Sequence, residues 1–229
     1  MLSLFVDIFV APGSALQRLH EQAPIVLPLT ILVLASVALN FAYFQLVDRE
    51  FLVEEIIAQA GDELSNEDER RLREFSTNDD DGTRWFPTIG AALSISLMLL
   101  LHGTYYSLVS MFSGHGIRFR QWFGLVTWCS LPMLLAVLAG FVALMIAPGY
   151  ELTFDELNPL SLTSLLNMEM GRGPGQMLGR LDVSQVWSVV LLTLGYHLWT
   201  QSSLARSLAV ALIPYMLFYG SSALFIFLD

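Results

Sequence analysis

Five apolar stretches, each long enough to cross a lipid bilayer, occupy most of this 229-residue chain. A helix needs about 20 mostly apolar residues to cross the roughly 30 Å apolar core of a bilayer, and only a helix pairs every backbone polar group within one such segment. The sequence therefore predicts an all-α fold, a polytopic membrane protein with a bundle of five transmembrane helices and short amphipathic surface helices. The predicted spans are residues 25–47, 87–111, 123–147, 183–199 and 205–228.

The composition agrees with a membrane environment. Hydrophobic residues make up 55% of the chain and charged residues 14%, whereas about a quarter of an ordinary soluble domain is charged. The net charge of −10 argues against nucleic acid as a partner. The single cysteine, Cys129, lies inside the third span, so neither an intrachain disulfide nor a thiolate metal cluster is expected.

We divide the chain into an N-terminal interfacial segment, residues 1–22, and one membrane domain, residues 23–229. The first ten residues place apolar side chains at helical spacing, which is typical of an amphipathic helix lying in the membrane interface. These side chains are Leu2, Phe5, Val6 and Phe9.

Two polar insertions interrupt the membrane domain. Residues 48–84 hold thirteen acidic residues and five arginines. The capping pattern at Ser65–Asp68, together with Gly61, predicts a two-helix acidic hairpin within them. Residues 148–182 form the second loop, in which Asn158 is expected to cap a short surface helix.

The distribution of arginine predicts an orientation in the membrane. Arg118, Arg120 and Arg206 lie in short connecting loops that contain no acidic residue, whereas both long loops are acidic. Cytoplasmic loops are enriched in arginine and lysine. We therefore expect the N-terminus in the cytoplasm and both acidic loops and the C-terminus outside.

Polar side chains within two spans form the first candidate site. Burying an ionisable group in a membrane is costly, so intramembrane histidines are candidates for relaying protons or binding a headgroup. The alternative is that both histidines are neutral and form hydrogen bonds between packed helices. The candidate residues are His102, Tyr105 and Tyr106 in the second span, and Thr193, His197 and Gln201 at the end of the fourth.

A second candidate is a lipid-headgroup anchor at the start of the third span. Arg118 and Arg120 suit the level of the headgroups, and Trp122 suits the aromatic belt beside it. The alternative is an interfacial anchor without a specific lipid ligand.

Neither a metal site nor a catalytic centre is predicted. Asp79, Asp80 and Asp81 concentrate the oxygen ligands that calcium prefers, but the run lacks EF-hand spacing and is interpreted as a solvated acidic turn. The chain has no Gly-x-Ser-x-Gly, His-Glu-x-x-His, Walker or Rossmann motif. We therefore expect a protein that is not an enzyme and uses no cofactor.

Three segments carry a resemblance to a known family. The first is the proline-containing stretch Ala11–Leu19, the second leads from Arg118–Gln121 to Ser130–Pro132, and the third is Val186–Ser207. Together they resemble bacterial members of the Yip family (Ypt-interacting proteins, also called YIPF), over nearly the whole chain except residues 48–84. The resemblance implies five spans, a cytoplasmic N-terminus, an outside C-terminus and a location in the bacterial inner membrane.

Eukaryotic relatives in this family are linked to Rab GTPases, membrane trafficking and membrane shaping. They carry an acidic–Tyr–Gly–Pro motif before the first span and a Tyr-Gly-Tyr motif in the third. The corresponding residues here are Ala11–Gly13 and Thr127–Cys129. Since both tyrosine-containing elements are missing, the resemblance does not extend to GTPase binding.

The leading hypothesis is an integral membrane protein without catalytic activity that organises partners or shapes the bilayer. Its partners are then the lipid bilayer and either another membrane protein or a second copy of the chain. The alternative is a small transporter or lipid translocator with a polar path through His102 and His197.

Overall fold

Helices dominate the computed structural model, which describes residues 2–61, 64–77, 81–166, 179 and 181–228. These residues contain no strand, only a bridge pair between Ser161 and Asp182. An all-α fold is therefore confirmed for the described part of the chain. The helices are α1 (Leu2–Val10), α2 (Pro12–Glu21), α3 (Val26–Leu46), α4 (Arg49–Ala60), α5 (Asn66–Thr77), α6 (Asp81–Phe112), α7 (Phe119–Cys129), α8 (Met133–Ile146), α9 (Leu162–Leu165), α10 (Val183–Thr200) and α11 (Leu204–Leu228), with a 3-10 turn at Pro148–Tyr150.

Three segments of the described residues are long and apolar enough to cross a membrane. They are Val26–Leu46, Trp85–Phe112 and Phe119–Ile146. No more than 33% of the most apolar window of each is buried within the protein, so most of the apolar surface faces outwards. Such a surface is stable against lipid rather than water. By this criterion three of the five predicted spans qualify, and α10 and the shorter apolar helix Leu204–Gly220 pack beside them.

The third long segment, Phe119–Ile146, is interrupted near its middle. α7 ends at Cys129 and α8 begins at Met133, with Pro132 as its N-cap residue. Proline has no N–H and clashes with the preceding turn, so the helix stops and restarts here. Pro87 and Pro214 differ, because each lies within a continuous helix.

The five long helical segments α3, α6, α7–α8, α10 and α11 run between two ends of the bundle. The N-terminal face consists of α1, α2 and the turns at residues 113–118 and 201–203. The loop face consists of α4, α5 and residues 147–161. At the loop face the Tyr43 hydroxyl donates to the carbonyl oxygen of Leu152 at 3.0 Å, which ties α3 to the loop that follows α8.

α2 packs against α7 and α10 at the N-terminal face. Its side chains Leu16 and Leu19 are fully buried. Trp199 Nε1 donates to the carbonyl oxygen of Leu16 at 2.8 Å, and Gln121 Nε2 donates to that of His20 at 2.8 Å. The apolar face of this part of the N-terminal segment is therefore covered by protein.

Candidate functional site

A cavity of about 630 Å³ lies between α6, the α7–α8 break, α10 and α11. It extends from Asp155 and Asp182 at the loop face to His102 and Ser130, which lie in the interior of the bundle. Irregular backbone at membrane depth is tolerated where it lines a cavity, and the α7–α8 break meets this condition. We refer to this space as the central cavity.

Two of the six residues of the first candidate site, His102 and Tyr105, line the central cavity. The His102 ring lies 5.4 Å from that of Tyr215, and its Nδ1 is 3.2 Å from the carbonyl oxygen of Met98. Since that oxygen can only accept, a hydrogen bond here places a ring proton on Nδ1, and in a neutral ring Nε2 is then an acceptor. The Tyr105 hydroxyl donates to the carbonyl oxygen of Val210 at 2.9 Å.

The other four residues of that site are not among those that line the central cavity. His197 contacts the carbonyl oxygen of Ser202 through Nδ1, at the turn that closes the N-terminal face. The described residues do not bring His197 to His102, because His197 contacts the turn at the N-terminal face whereas His102 lines the central cavity. The four residues are Tyr106, Thr193, His197 and Gln201.

Trp122 lies inside the bundle and not at the membrane interface. Its side chain is fully buried, and its ring stacks on Tyr106 and on Tyr196 with centroids 5.6 Å from each. Trp199 is the third aromatic neighbour, at 5.3 Å. The prediction of Trp122 as a lipid-headgroup anchor is wrong, because this side of α7 faces α6 and α10 instead of lipid.

Arg118 and Arg120 do remain exposed at the N-terminal face. With Arg18 and Glu21 they line a groove of about 810 Å³ between the N-terminal helices and the start of α7. Arg18 also pairs with Asp7, which joins α2 to α1. With Asp7 counted, three arginines face two carboxylates, which leaves a small positive charge at this groove in a protein whose net charge is −10. We refer to it as the arginine groove.

The acidic insertion forms α4 and α5 in the segment where the sequence predicts a two-helix hairpin. The carboxylate of Asp48 caps α4 by accepting from the Phe51 N–H at 2.9 Å. Ser65 Oγ caps α5 by accepting from the Asp68 N–H at 3.2 Å. Both helices therefore begin at side-chain acceptors that are visible in the sequence.

Arg73 links the two helices of the hairpin. Its Nη1 is 2.7 Å from Glu54 Oε1 on α4, and its Nη2 is 3.0 Å from Glu69 Oε1 on its own helix. Hydrogen bonds to Glu54 and Glu69 raise the pKa of Arg73 above its usual value. A guanidinium is ionised at all accessible pH values without such a shift, and these exposed contacts connect α4 with α5.

Most of the acidic run considered for calcium lies outside the described residues. Asp79 and Asp80 belong to that part, whereas Asp81 is the first residue of α6. Within the described ranges, no group of three or more His, Cys, Asp or Glu side chains is placed to hold a metal ion.

Two residues that line the central cavity, Asn158 and Asp182, are not among the candidate site residues predicted from the sequence. Asn158 is not the cap of the short helix α9, which is capped instead by Ser161 through the Ser164 N–H at 3.2 Å. Asn158 Nδ2 donates to Asp182 Oδ2 at 3.3 Å, and both residues line the central cavity. The sequence feature that could have indicated this site is the acidic residue Asp182, which stands directly before the apolar run of α10.

Exposed apolar surface on long helices, a packed interior and polar loops at both ends define a helical integral membrane protein of the multi-pass class. A comparison with models of protein families matches the Yip1 domain over residues 6–225. The chain therefore belongs to the Yip1 domain family, as the resemblance in its sequence implies. Searches of curated proteins and of solved structures gave no match.

Proposed function

We propose that this chain is a five-span protein of the bacterial inner membrane that organises anionic lipid at its N-terminal face and has no catalytic role. The N-terminus is then cytoplasmic and the C-terminus outside. α10 has 18 residues, and its length of about 27 Å at 1.5 Å per residue is close to the thickness of a bilayer core. α11 is longer, with 25 residues, which supports two further crossings beside the three long spans.

The observation that carries the proposal is the arginine groove. Guanidinium groups match the geometry of phosphate and keep their charge at all accessible pH values. Arg118 and Arg120 form no ion pair with any carboxylate of the described residues. They are therefore open to a phosphate from the lipid.

Apolar surface lies next to the groove. On α1, Val6 is 56% exposed and Val10 is 73% exposed, whereas Ile8 on the same helix is fully buried. A helix with one face against protein and another exposed and apolar suits the boundary between headgroups and acyl chains. The groove and α1 together thus match both parts of an anionic phospholipid.

Native mass spectrometry of protein released from nanodiscs tests this proposal. The nanodiscs contain equal amounts of phosphatidylglycerol and phosphatidylethanolamine, and the lipids that stay bound are counted. We expect the wild type to retain phosphatidylglycerol, and the Arg118→Gln/Arg120→Gln double variant to retain about half as much or less, since each arginine removed takes away charge-assisted hydrogen bonds to phosphate.

The matched control is the Arg70→Gln/Arg71→Gln double variant. It removes two exposed arginines from α5 on the loop face, so the total charge changes equally. Retention of phosphatidylglycerol should match the wild type. If the two double variants lose the same amount of lipid, the groove has no specific role and the proposal fails.

The acidic hairpin favours a second function, the docking of another membrane protein or a second copy of the chain. α4 and α5 pack mainly on each other and expose carboxylates along both helices. Deleting residues 49–77 should then abolish cross-linking to one identified partner in native membranes. Unchanged cross-linking would refute this function and leave the lipid proposal standing.

Transport has weaker support. The central cavity includes His102 but not His197, so the polar path proposed for a transporter or lipid translocator is incomplete. Replacing both histidines by alanine should leave lipid movement across proteoliposomes unchanged. A loss of such movement in the double variant would favour transport over the static lipid role.

A further inference from the structure

Tyr215 apart, the side-chain hydroxyl groups that line the central cavity have already donated their protons within the protein. Each forms a hydrogen bond of 2.7 to 3.0 Å to a backbone carbonyl or a side-chain amide oxygen. A ligand in the cavity therefore meets their lone pairs and not their protons. The four residues are Tyr105, Ser130, Ser188 and Tyr219.

Two further acceptors on the lining have no partner among the described residues. Asn158 donates through Nδ2 to Asp182, which leaves its Oδ1 buried without a donor. His102 directs the proton on Nδ1 towards Met98, which leaves the lone pair of Nε2 buried and unpaired as well. A buried polar atom gains from a hydrogen-bond partner, so both atoms can accept from a donor that enters the cavity.

The charge of the lining has one sign. Asp155 and Asp182 both line the central cavity, and no arginine is among the described residues around it; the chain contains no lysine. Asp182 is only 5% exposed, so water screens it poorly. An anion placed here would face two carboxylates and no cation among the described lining residues.

Apolar side chains also line the cavity, and they continue to the outer surface of the bundle. Leu101 is 60% exposed and Leu217 is 68% exposed, and both also line the cavity. Their exposed surface faces lipid in a membrane-embedded protein. A ligand with an apolar chain could therefore extend from the cavity towards the acyl region.

We propose that the central cavity binds a primary ammonium group carried on an apolar chain. An ammonium group has three N–H donors and no acceptor, which complements the carboxylate of Asp182 and Oδ1 of Asn158 at the loop-face end of the cavity. The chain lies against Leu101 and Leu217. The volume of about 630 Å³ is within the range of known small-ligand sites. This site is distinct from the arginine groove in both charge and position.

Cysteine labelling in nanodiscs measures the charge preference of the cavity directly. Met133 lines the cavity, so Met133→Cys in a Cys129→Ala background reports on it, and Gly13→Cys, at an exposed position with open space, is the reference. The reagents are 2-aminoethyl and 2-sulfonatoethyl methanethiosulfonate. We expect the ratio of cationic to anionic labelling rates at Met133→Cys to exceed that at Gly13→Cys about fivefold or more, because two carboxylates attract the cation.

Charge-neutralising variants show whether the carboxylates cause this preference. Asp182→Asn and Asp155→Asn should each lower the ratio, whereas Glu50→Gln, which removes a carboxylate from α4, should leave it unchanged. Asparagine at position 182 can still accept hydrogen bonds as the N-cap of α10. If the Asp182 variant nevertheless fails to fold, the variant at the exposed Asp155 still tests the effect of removing a carboxylate. Equal ratios at Met133→Cys and Gly13→Cys would overturn the proposal.

Protection of Met133→Cys from N-ethylmaleimide identifies the ligand group. In phosphatidylglycerol nanodiscs, dodecylamine should slow labelling severalfold. Dodecyltrimethylammonium should slow it less, because this cation has no N–H donor. Dodecyl sulfate should not slow it. Slower labelling in phosphatidylethanolamine nanodiscs without added amine would identify a lipid headgroup as the source. Protection only by the added amine would identify a free alkylamine. Equal protection by the amine and the sulfate would refute the ammonium site.

Discussion

The hydroxyl of Tyr105 on α6 donates a 2.9 Å hydrogen bond to the backbone carbonyl oxygen of Val210 on α11. In a regular helix that oxygen would accept from the N–H four residues later, which is the position of Pro214. Proline has no N–H to offer. Tyr105 thus satisfies the one carbonyl that Pro214 leaves open, and this allows α11 to continue through the proline.

We expect Tyr105→Phe to destabilise the protein by about 1 kcal/mol, because it removes a hydrogen bond and leaves a partly buried carbonyl without a donor. Reversible unfolding in mixed micelles measures the change in the free energy of unfolding. The ring itself remains, so packing against Tyr106, at 5.3 Å between centroids, should not contribute.

The Pro214→Ala background provides the test of this explanation. Alanine restores the N–H that pairs with Val210, so Tyr105→Phe should cost less in that background than in the wild type. A double-mutant cycle isolates the coupling between the two positions. An equal cost in both backgrounds would show that Tyr105 does not act through the carbonyl that proline leaves open.

The indole of Trp199 holds α2 in place. Its Nε1 donates to the carbonyl oxygen of Leu16, and its ring lies 4.9 Å from that of His20. Trp199→Phe keeps the ring and removes the donor, so we expect faster amide hydrogen exchange across α2 with little change in the long spans. Trp187→Phe is the control on the same helix, since Trp187 is 41% exposed. Equally protected α2 amides in both variants would contradict this role.

The close approach of α7 to the α2–α3 link depends on Gly124. A Cβ at this position would lie 2.6 Å from the Cβ of Ala23, which is too close without backbone movement. Gly124→Ala should therefore destabilise the protein by about 1 to 3 kcal/mol, the typical cost of overpacking.

Gly90→Ala is the matched control for Gly124→Ala. A Cβ at Gly90 would meet nothing within 4 Å, and alanine favours a helix over glycine by about 0.5 to 1 kcal/mol. Thermal unfolding in detergent should show a lower midpoint for Gly124→Ala and an equal or higher midpoint for Gly90→Ala. Similar shifts for the two variants would mean that helix propensity, not packing, determines the outcome.

Arg73 is expected to hold α4 against α5 by charge. Arg73→Gln removes its contacts with Glu54 and Glu69, so hydrogen exchange should accelerate in both helices together, and high salt should have the same effect on the wild type. Arg70→Gln, whose partner Glu74 lies on the same helix at 3.6 Å, should affect α5 alone. Unchanged exchange in α4 after Arg73→Gln would exclude the proposed link.

The predictions that the structure matches most closely depend on local chemistry. The caps at Asp48 and Ser65 act within three residues, and apolar segments of sufficient length predict helices without reference to their neighbours. The interruption between α7 and α8 at Pro132 is only partly predictable from local sequence. Proline signals a disturbance there, but whether a helix bends or stops depends on what surrounds it, as the continuous helix through Pro214 shows.

The candidate sites were harder to predict because their residues come from distant parts of the chain. His102 and Tyr105 meet Asn158 and Asp182 at the central cavity only after α6, α10 and the loop face have packed. Trp122 follows two interfacial arginines in the sequence, yet it packs among Tyr106, Tyr196 and Trp199. Nothing in the spacing of α7 distinguishes these two environments.

The sequence by itself determined that the protein lies in a membrane, that it is helical and that residues 48–84 contain an acidic hairpin. The reason is that the length of an apolar stretch and the caps of a helix are properties of short segments. The tertiary structure decided which side of each helix meets protein, which residues surround the central cavity and where the arginine groove opens. The physical reason is that lipid and protein interior are both apolar. Hydrophobic periodicity, which identifies the buried face of a helix in water, therefore loses its contrast within a bilayer.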